Sequence, residues 1–257
     1  MSAPLTLVRM VPDMRALAQA AAGAGFVPTG GDMGYALHAA LLAIFGPELA
    51  PKTFTLRDGT VMGYSAASPE DLLTAVHLQP ASMEALAQAL GPHHLEARTM
   101  PQNWRVDQEL DLEVRIRPIV RSRAGRGRAK GGRELDAFVM NAPPKPTGTD
   151  AAGTGIAARE LAYCNWLRGE LDRGGASSLL GARMRGFQRT RLLTRPKVEH
   201  SRSTVTTEGP DAVMYARIRI KDPASFDALL RRGIGRHRAF GFGMMLLSPP
   251  GRLFTER

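Results

Sequence analysis

The sequence predicts an α+β chain built from two tandem ferredoxin-like domains, the arrangement shared with RNA-recognition (RRM-like) modules. Three observations carry this. The order strand, helix, strand, strand, helix, strand can be read twice along the 257 residues. Asp58-Gly59 between two β-rich runs is a strong hairpin signal. Asp222-Pro223 is a helix-start signal followed by a strand-like run near the end.

In the first unit, predicted over 1–101, Leu5 to Val11 alternates as a strand and Pro12 ends it before the alanine-rich helix Met14 to Ala22. A glycine- and proline-rich loop follows, with Asp32 as N-cap of a helix over Met33 to Phe45 that Gly46 and Pro47 stop. Leu37, Leu41, Ile44 and Phe45 recur at helical spacing and predict the face that packs on a sheet, while Tyr35 and His38 share another face. Lys52 to Arg57 and Thr60 to Ser65 form the hairpin. Ser68-Pro-Glu-Asp opens helical sequence with apolar positions Leu72, Val76, Leu86 and Leu90, broken near Pro80, and His94 to Met100 returns as a strand.

The second unit is predicted over 107–257. Asp111 to Ile119 is its first strand. Ala157 to Leu171 is its first helix, with Leu161, Trp166 and Leu167 towards the core and Cys164 inert beside them. Met184 to Arg195 and Val213 to Ile220 are strands, Asp222-Pro223 starts the last helix, and Met244 to Leu247 closes the sheet. Between strand and helix, over about 121–156, lies a flexible basic insertion in which Arg121, Arg123, Arg126, Arg128, Lys130 and Arg133 stand among Gly and Ala, followed by prolines and glycines.

The formal net charge is +10, and the sequence pI of about 10.6 comes mostly from arginine, the side chain best shaped for phosphate. Nucleic acid therefore leads the partner classes. The one cysteine excludes an internal disulfide, and no signal peptide or long apolar span opens the chain, so a cytoplasmic protein without membrane contact is expected. No His-Glu-x-x-His or paired Cys-x-x-Cys occurs, so neither metal nor other cofactor is expected.

Near the end, Gly233 to Gly243 packs four glycines and three bases, Arg236, His237 and Arg238, into eleven residues. Glycines let backbone amides approach a phosphate, and the arginines supply charge. The loop follows a helix and precedes a strand, the reverse of a dinucleotide-binding loop, and no Gly-Lys-Ser or Gly-Lys-Thr follows, so neither nucleotide motif applies. By itself the stretch is equally a connector.

With these elements in place the chain resembles the CasE family of CRISPR RNA-processing endoribonucleases over most of its length. The terminal Gly-Ile-Gly, three residues carrying a base, a small residue, an aromatic, then Gly-x-Gly is the most specific part. Tyr35-x-x-His38 matches the family's catalytic motif. Arg115-x-Arg117-Pro118 and the helix around Tyr163 to Leu167 add agreement. The link from Pro12 to Gly31 is longer than the family's, Arg238 stands where lysine is common, and His237 is an additional imidazole.

The resemblance implies cleavage of precursor CRISPR RNA at the base of a repeat hairpin, without metal, leaving a 2′,3′-cyclic phosphate and a 5′-hydroxyl. It implies retention of the mature crRNA and delivery to the backbone subunits of a Cascade-type complex. His38 and Tyr35 are the implied catalytic pair, with imidazole suited to proton exchange near neutral pH. Expected RNA contacts are Arg115, Arg117 and the insertion's bases, Arg189 and Arg191 alternating outward on their strand, and Gly233, Gly235, Arg236, His237, Arg238, Gly241 and Gly243 of the loop. A non-catalytic RNA hairpin-binding subunit of a ribonucleoprotein is the alternative.

Overall fold

A computed structural model describes residues 4–24, 33–121, 134–141, 151–194 and 205–253. The Asp32 cap and five expected RNA-binding bases, Arg123, Arg126, Arg128, Lys130 and Arg133, lie outside the described residues.

The first unit consists of β1 (Thr6–Met10), α1 (Met14–Gly23), α2 (Met33–Leu49), β2 (Thr53–Arg57), β3 (Thr60–Ser65), α3 (Pro69–His77), α4 (Glu84–Ala89) and β4 (Glu96–Thr99). Its sheet has the order β2-β3-β1-β4 with antiparallel pairings throughout. Asp13 caps α1 by accepting from the amides of Arg15 and Ala16, and Ser68 caps α3 by accepting from that of Asp71. In α2, Leu37, Leu41, Ile44 and Phe45 are all buried, so its apolar stripe meets the sheet as the spacing requires. Gly46 at φ 70° interrupts the helix and Pro47 begins a further turn, which puts the break where the sequence places it.

The second unit contains β5 (Glu109–Ile116), β6 (Ile119–Arg121), β7 (Glu134–Asp136), α5 (Ala137–Asn141), α6 (Ala151–Asp172), β8 (Ser177–Thr194), β9 (Val205–Ile220), α7 (Pro223–Arg232) and β10 (Met245–Ser248). Its sheet order is β10-β5-β9-β8. Counting strands within each unit, both sheets run 4-1-3-2, the ferredoxin-like order, and the α+β fold class is as expected.

Three elements differ from the sequence reading. The strands β8 and β9 begin seven and eight residues earlier than the expected starts at 184 and 213, and pair from Ser177↔Ile220 to Thr194↔Val205 as one long ribbon. Arg189, Arg191, Glu208 and Gly209-Pro210 give this ribbon little apolar alternation, so the period of two was not visible in the sequence. The insertion is not all irregular, because its flanks form the β6–β7 hairpin, α5 and the first turns of α6. Leu161, expected in the core, is 64% exposed, whereas Leu167 is buried as expected and Tyr163 and Leu171 complete that face.

The two units are packed together. Tyr64 of β3 donates its hydroxyl to the Met245 carbonyl of β10 at 2.9 Å, and both Tyr64 and Leu5 belong to the second unit's apolar cluster. Arg57 of β2 pairs with Glu113 of β5 at 3.0 Å.

The turn after α7 crosses itself. Ile234 donates to the Gly243 carbonyl at 2.9 Å, and Gly243 donates to the Arg115 carbonyl at 2.7 Å. A Cβ on Gly243, whose φ is +77°, would sit 2.0 Å from the Ile234 oxygen, which is backbone and cannot yield. Gly243→Ala should therefore lower stability by about 3 kcal/mol, measured by chemical denaturation. Gly174→Ala, at φ +74° with nothing within 4 Å, is the control for strain alone and should cost about 1 kcal/mol.

Candidate active site and RNA-facing groove

The second unit's glycine loop is seated on the first unit's α2 and β2. Thr53 of β2 lies against Gly233, where an added Cβ would meet its Cγ2 at 2.7 Å. Phe54 of β2 lies beside Gly241, 3.5 Å from where that residue's Cβ would be. This contact carries the loop to the two side chains of the Tyr-x-x-His motif.

Phe240 is the residue on which they converge. Its ring centroid is 6.4 Å from Tyr35 in a stacked geometry, 6.1 Å from His38 and 6.2 Å from His237, the latter two tilted. Phe240 is held in place by its own turn, since its amide donates to the His237 carbonyl at 2.9 Å and His237 adopts a left-handed φ of 59°. Tyr35 and His38, three residues apart on α2, are thus brought against a segment about two hundred residues further on. Phe240 was not among the residues singled out in the sequence. An aromatic at that place in the terminal pattern was the only signal, and an isolated phenylalanine reads first as core.

Burial lowers the His38 imidazole below its ordinary value of 6.5, so it is neutral at pH 7. His237 is lowered by the same cause, which outweighs the upward pull of Glu134. Glu134 of β7 stands 3.1 Å from His237 Nε2 and 2.8 Å from Arg236 Nε. Burial pushes the Glu134 carboxyl up, but the contacts with His237 and Arg236 hold it below the usual range. Because His237 is neutral, Arg236 supplies the cation of this trio, and the His237 Nε2 that faces the carboxylate is assigned the proton.

Beside Phe240 a groove of about 880 Å³ opens, lined by Lys52, Arg231, Arg232, Arg236, His237 and Arg238 among others. Lys52, just before β2, and Arg231 and Arg232, at the end of α7, were not recognised in the sequence, because nothing in their local context marks them. Arg231 is paired with Asp227 at 2.6 Å, and Lys52 donates to the Pro47 carbonyl at 2.7 Å. Arg238 donates to the Arg232 carbonyl at 2.8 Å, and burial, aided by Arg232, disfavours its charge. A polyanion entering the groove would relieve that repulsion.

The expected RNA-binding residues divide by environment. Arg121 is exposed at the end of β6, where it is in register with Glu134. Arg189 and Arg191 are exposed on β8, with Arg189 2.8 Å from Glu208 and Arg191 78% exposed. On the alternate positions, Gln188, itself exposed, donates to Asp211, Thr190 meets Arg117, and Leu192 is buried.

Arg117 and the glycines require correction. Arg117 is 2% exposed, and its guanidinium donates to the Thr207 carbonyl at 2.9 Å and lies against Gly209, so it braces the ribbon from inside and offers no surface to RNA. Arg115 forms a two-pronged pair with buried Asp211 at 2.9 and 2.6 Å and covers the Phe242 ring at 4.6 Å. The amides of Gly233, Gly235 and Gly243 donate to Leu229, Glu170 and Arg115, so they are not available to cradle a phosphate. The glycines are needed for close approach. At Gly235 an added Cβ would lie 2.7 Å from the Trp166 ring, and Gly241 is a left-handed turn position at φ +87° beside Phe54.

Burial pushes the Cys164 thiol up to about 11, which makes it a poor nucleophile. Among the described residues no three His, Cys, Asp or Glu side chains are grouped to hold a metal ion, and no helix is long and apolar enough to cross a membrane.

Several solved structures share this architecture. Two structures of the CRISPR endoribonuclease Cse3 bound to a 19-nucleotide RNA are 17% identical, with TM-scores of 0.57 and 0.58, covering 97% and 96% of this chain and 100% of those chains. Thermus thermophilus Cse3 bound to an RNA representing a pre-cleavage complex is 17% identical at a TM-score of 0.53, covering 96% of this chain and 100% of that one. A chain of a CRISPR RNA-guided surveillance complex in a pre-nicking state is 16% identical at 0.52, covering 95% and 99%. At such identities the likeness establishes the fold. No curated protein sequence matches. The profile of the family described as CRISPR associated protein matches residues 6–249, nearly the whole length, and the chain belongs to that family.

Proposed function

We propose that this protein is a metal-independent endoribonuclease that cuts precursor CRISPR RNA at its repeat hairpin and remains on the product within a surveillance complex. The observation that carries this reading is the seating of the glycine loop on α2, which sets His38 and Tyr35 around Phe240 at the end of a basic groove. The family membership and the RNA-bound structures of the same fold support it.

In the reaction the 2′-hydroxyl oxygen attacks the adjacent phosphorus, a bond forms from O2′ to P, and the bond from P to O5′ breaks. The 2′ proton passes to the neutral His38 imidazole, the form that burial favours. The Tyr35 hydroxyl, one helical turn earlier, supplies the proton taken up by the departing 5′-oxygen. Arg236 and Arg238 offset the charge that accumulates on the phosphorane. The products are a 2′,3′-cyclic phosphate and a 5′-hydroxyl, and no water enters the bond-breaking step.

The β6–β7 hairpin gives the basic insertion a place in this scheme. Its two ends, Arg121 and Glu134, are paired neighbours, and Glu134 holds Arg236 and His237. The described flanks of the insertion therefore lie beside the glycine loop, at the groove that we assign to the RNA backbone.

His38→Ala should slow single-turnover cleavage of the cognate repeat RNA by about 10²–10⁴-fold while leaving its affinity within a few-fold. Cleavage at the wild-type rate would show that His38 is not the catalyst. Tyr35→Phe should slow the reaction less than His38→Ala does.

The pH dependence follows from the direction of the His38 shift. A base must be deprotonated, so the rate at subsaturating RNA should be level above the ordinary 6.5 and fall only below it. A loss of rate as pH rises through the lowered value, below 6.5, would instead make His38 the acid. Cleavage should also persist in excess EDTA, and activity that vanishes there and returns with a divalent ion would sink the metal-independent mechanism.

A further inference from the structure

A second cavity, of about 340 Å³, shares Phe240 with the basic groove and lies between the start of α2, β2, β8 and the glycine loop. Leu37, Phe54, Phe240 and Phe242 are among its walls, and Arg115 and Arg191 are its charged residues. Phe54 and Phe242 are each 1% exposed and make an apolar floor, whereas Phe240 is only half-buried. Both units contribute walls, so the cavity exists only when the glycine loop is seated on α2.

We infer that this cavity is a binding site for one unpaired, carbonyl-bearing nucleobase of the RNA, next to the phosphate that is cut. The inference rests on the function proposed above and adds to it a determinant of sequence preference. Phe240 lines both compartments, the phosphate groove and the apolar cavity. A strand whose backbone follows the groove past Phe240 therefore directs a base into the cavity. The volume is at the low end of the ~300–1,000 Å³ typical of ligand sites, which suits a single planar ring system and excludes a base pair. Aromatic walls bind any base by stacking.

Selection comes from Arg115. Its Nε and Nη2 are committed to the Asp211 carboxylate, which fixes the plane of the guanidinium. Its Nη1 lies 3.9 Å from the position of a Cβ on Gly241, another wall residue. Guanidinium only donates hydrogen bonds. The base it accepts best presents a carbonyl oxygen, as guanine and uracil do, and an adenine amino edge is disfavoured. Arg191, 78% exposed at the rim, adds charge for the neighbouring phosphate.

The test uses the repeat hairpin RNA from the CRISPR array of the source genome, with a 2′-deoxy nucleotide at the cut position so that affinity is measured without cleavage. An abasic nucleotide is placed in turn at each of the two positions flanking the cut. At one of them the affinity of the wild-type protein should drop roughly tenfold or more, guanine or uracil there should bind well, and adenine should fall between these and the abasic RNA. Leu56→Trp, which fills the cavity from β2, should lower affinity for the intact RNA to the abasic level and suffer no further loss with the abasic RNA. Phe240→Ala should abolish the difference between intact and abasic RNA in the same way, and serves if Leu56→Trp fails to fold. Equal abasic penalties in wild type and both variants, or no penalty at either position, would overturn the site. Binding with these preferences but without cleavage of the all-ribo RNA leaves the cavity assignment standing and removes the nuclease; failure to bind the hairpin at all overturns both.

Discussion

The structure depends on one close backbone crossing. Ile234 and Gly243 are hydrogen-bonded across the neck of the loop between α7 and β10, and Gly243 in turn bonds to the Arg115 carbonyl on β5. That crossing closes residues 235–242 into a compact projection and fixes its direction from the second sheet. Everything assigned to chemistry is reached through it: Phe240 meets α2, Arg236 and Arg238 line the groove, and His237 bonds to Glu134. A backbone oxygen at 2.0 Å from an added Cβ permits only glycine there.

The charges of the second unit serve two different ends. On the face of its sheet that looks away from α6 and α7, Arg115, Arg217 and Arg219 pair with Asp211, Asp111 and Glu109, and Asp111 and Asp211 are buried. Such pairs cost desolvation and contribute geometric definition more than stability. They hold β5, β9 and the start of the ribbon in register. Solvent-facing cations lie on the outer positions of β8 and around the glycine loop, and also at Arg168, Arg173 and Arg252.

Legibility in the sequence followed how local each signal is. The hairpin at Asp58-Gly59, the apolar stripe of α2 and the caps at Ser68 and Asp222 rest on residues within a few positions of one another, and they are present as read. The ribbon's full length was hidden because both its faces carry polar residues where it leaves the core. Leu161 and Arg117 were misplaced for a related reason. A leucine at helical spacing does not reveal which of two faces meets the sheet, and an arginine in a basic run does not reveal that carbonyls of two distant strands surround it.

The sequence by itself determined the α+β class, the tandem units, the basic character and the Tyr35 and His38 motif, because propensity, periodicity and charge are properties of short stretches. The tertiary structure decided that the two units press the glycine loop onto α2, that Phe240 joins Tyr35, His38 and His237, and that Glu134 ties the insertion to Arg236. It also turned Gly233, Gly235 and Gly243 from phosphate donors into points of close packing. These are contacts between residues far apart in the chain, formed when apolar surfaces of both units are buried together, and no local pattern encodes their partners.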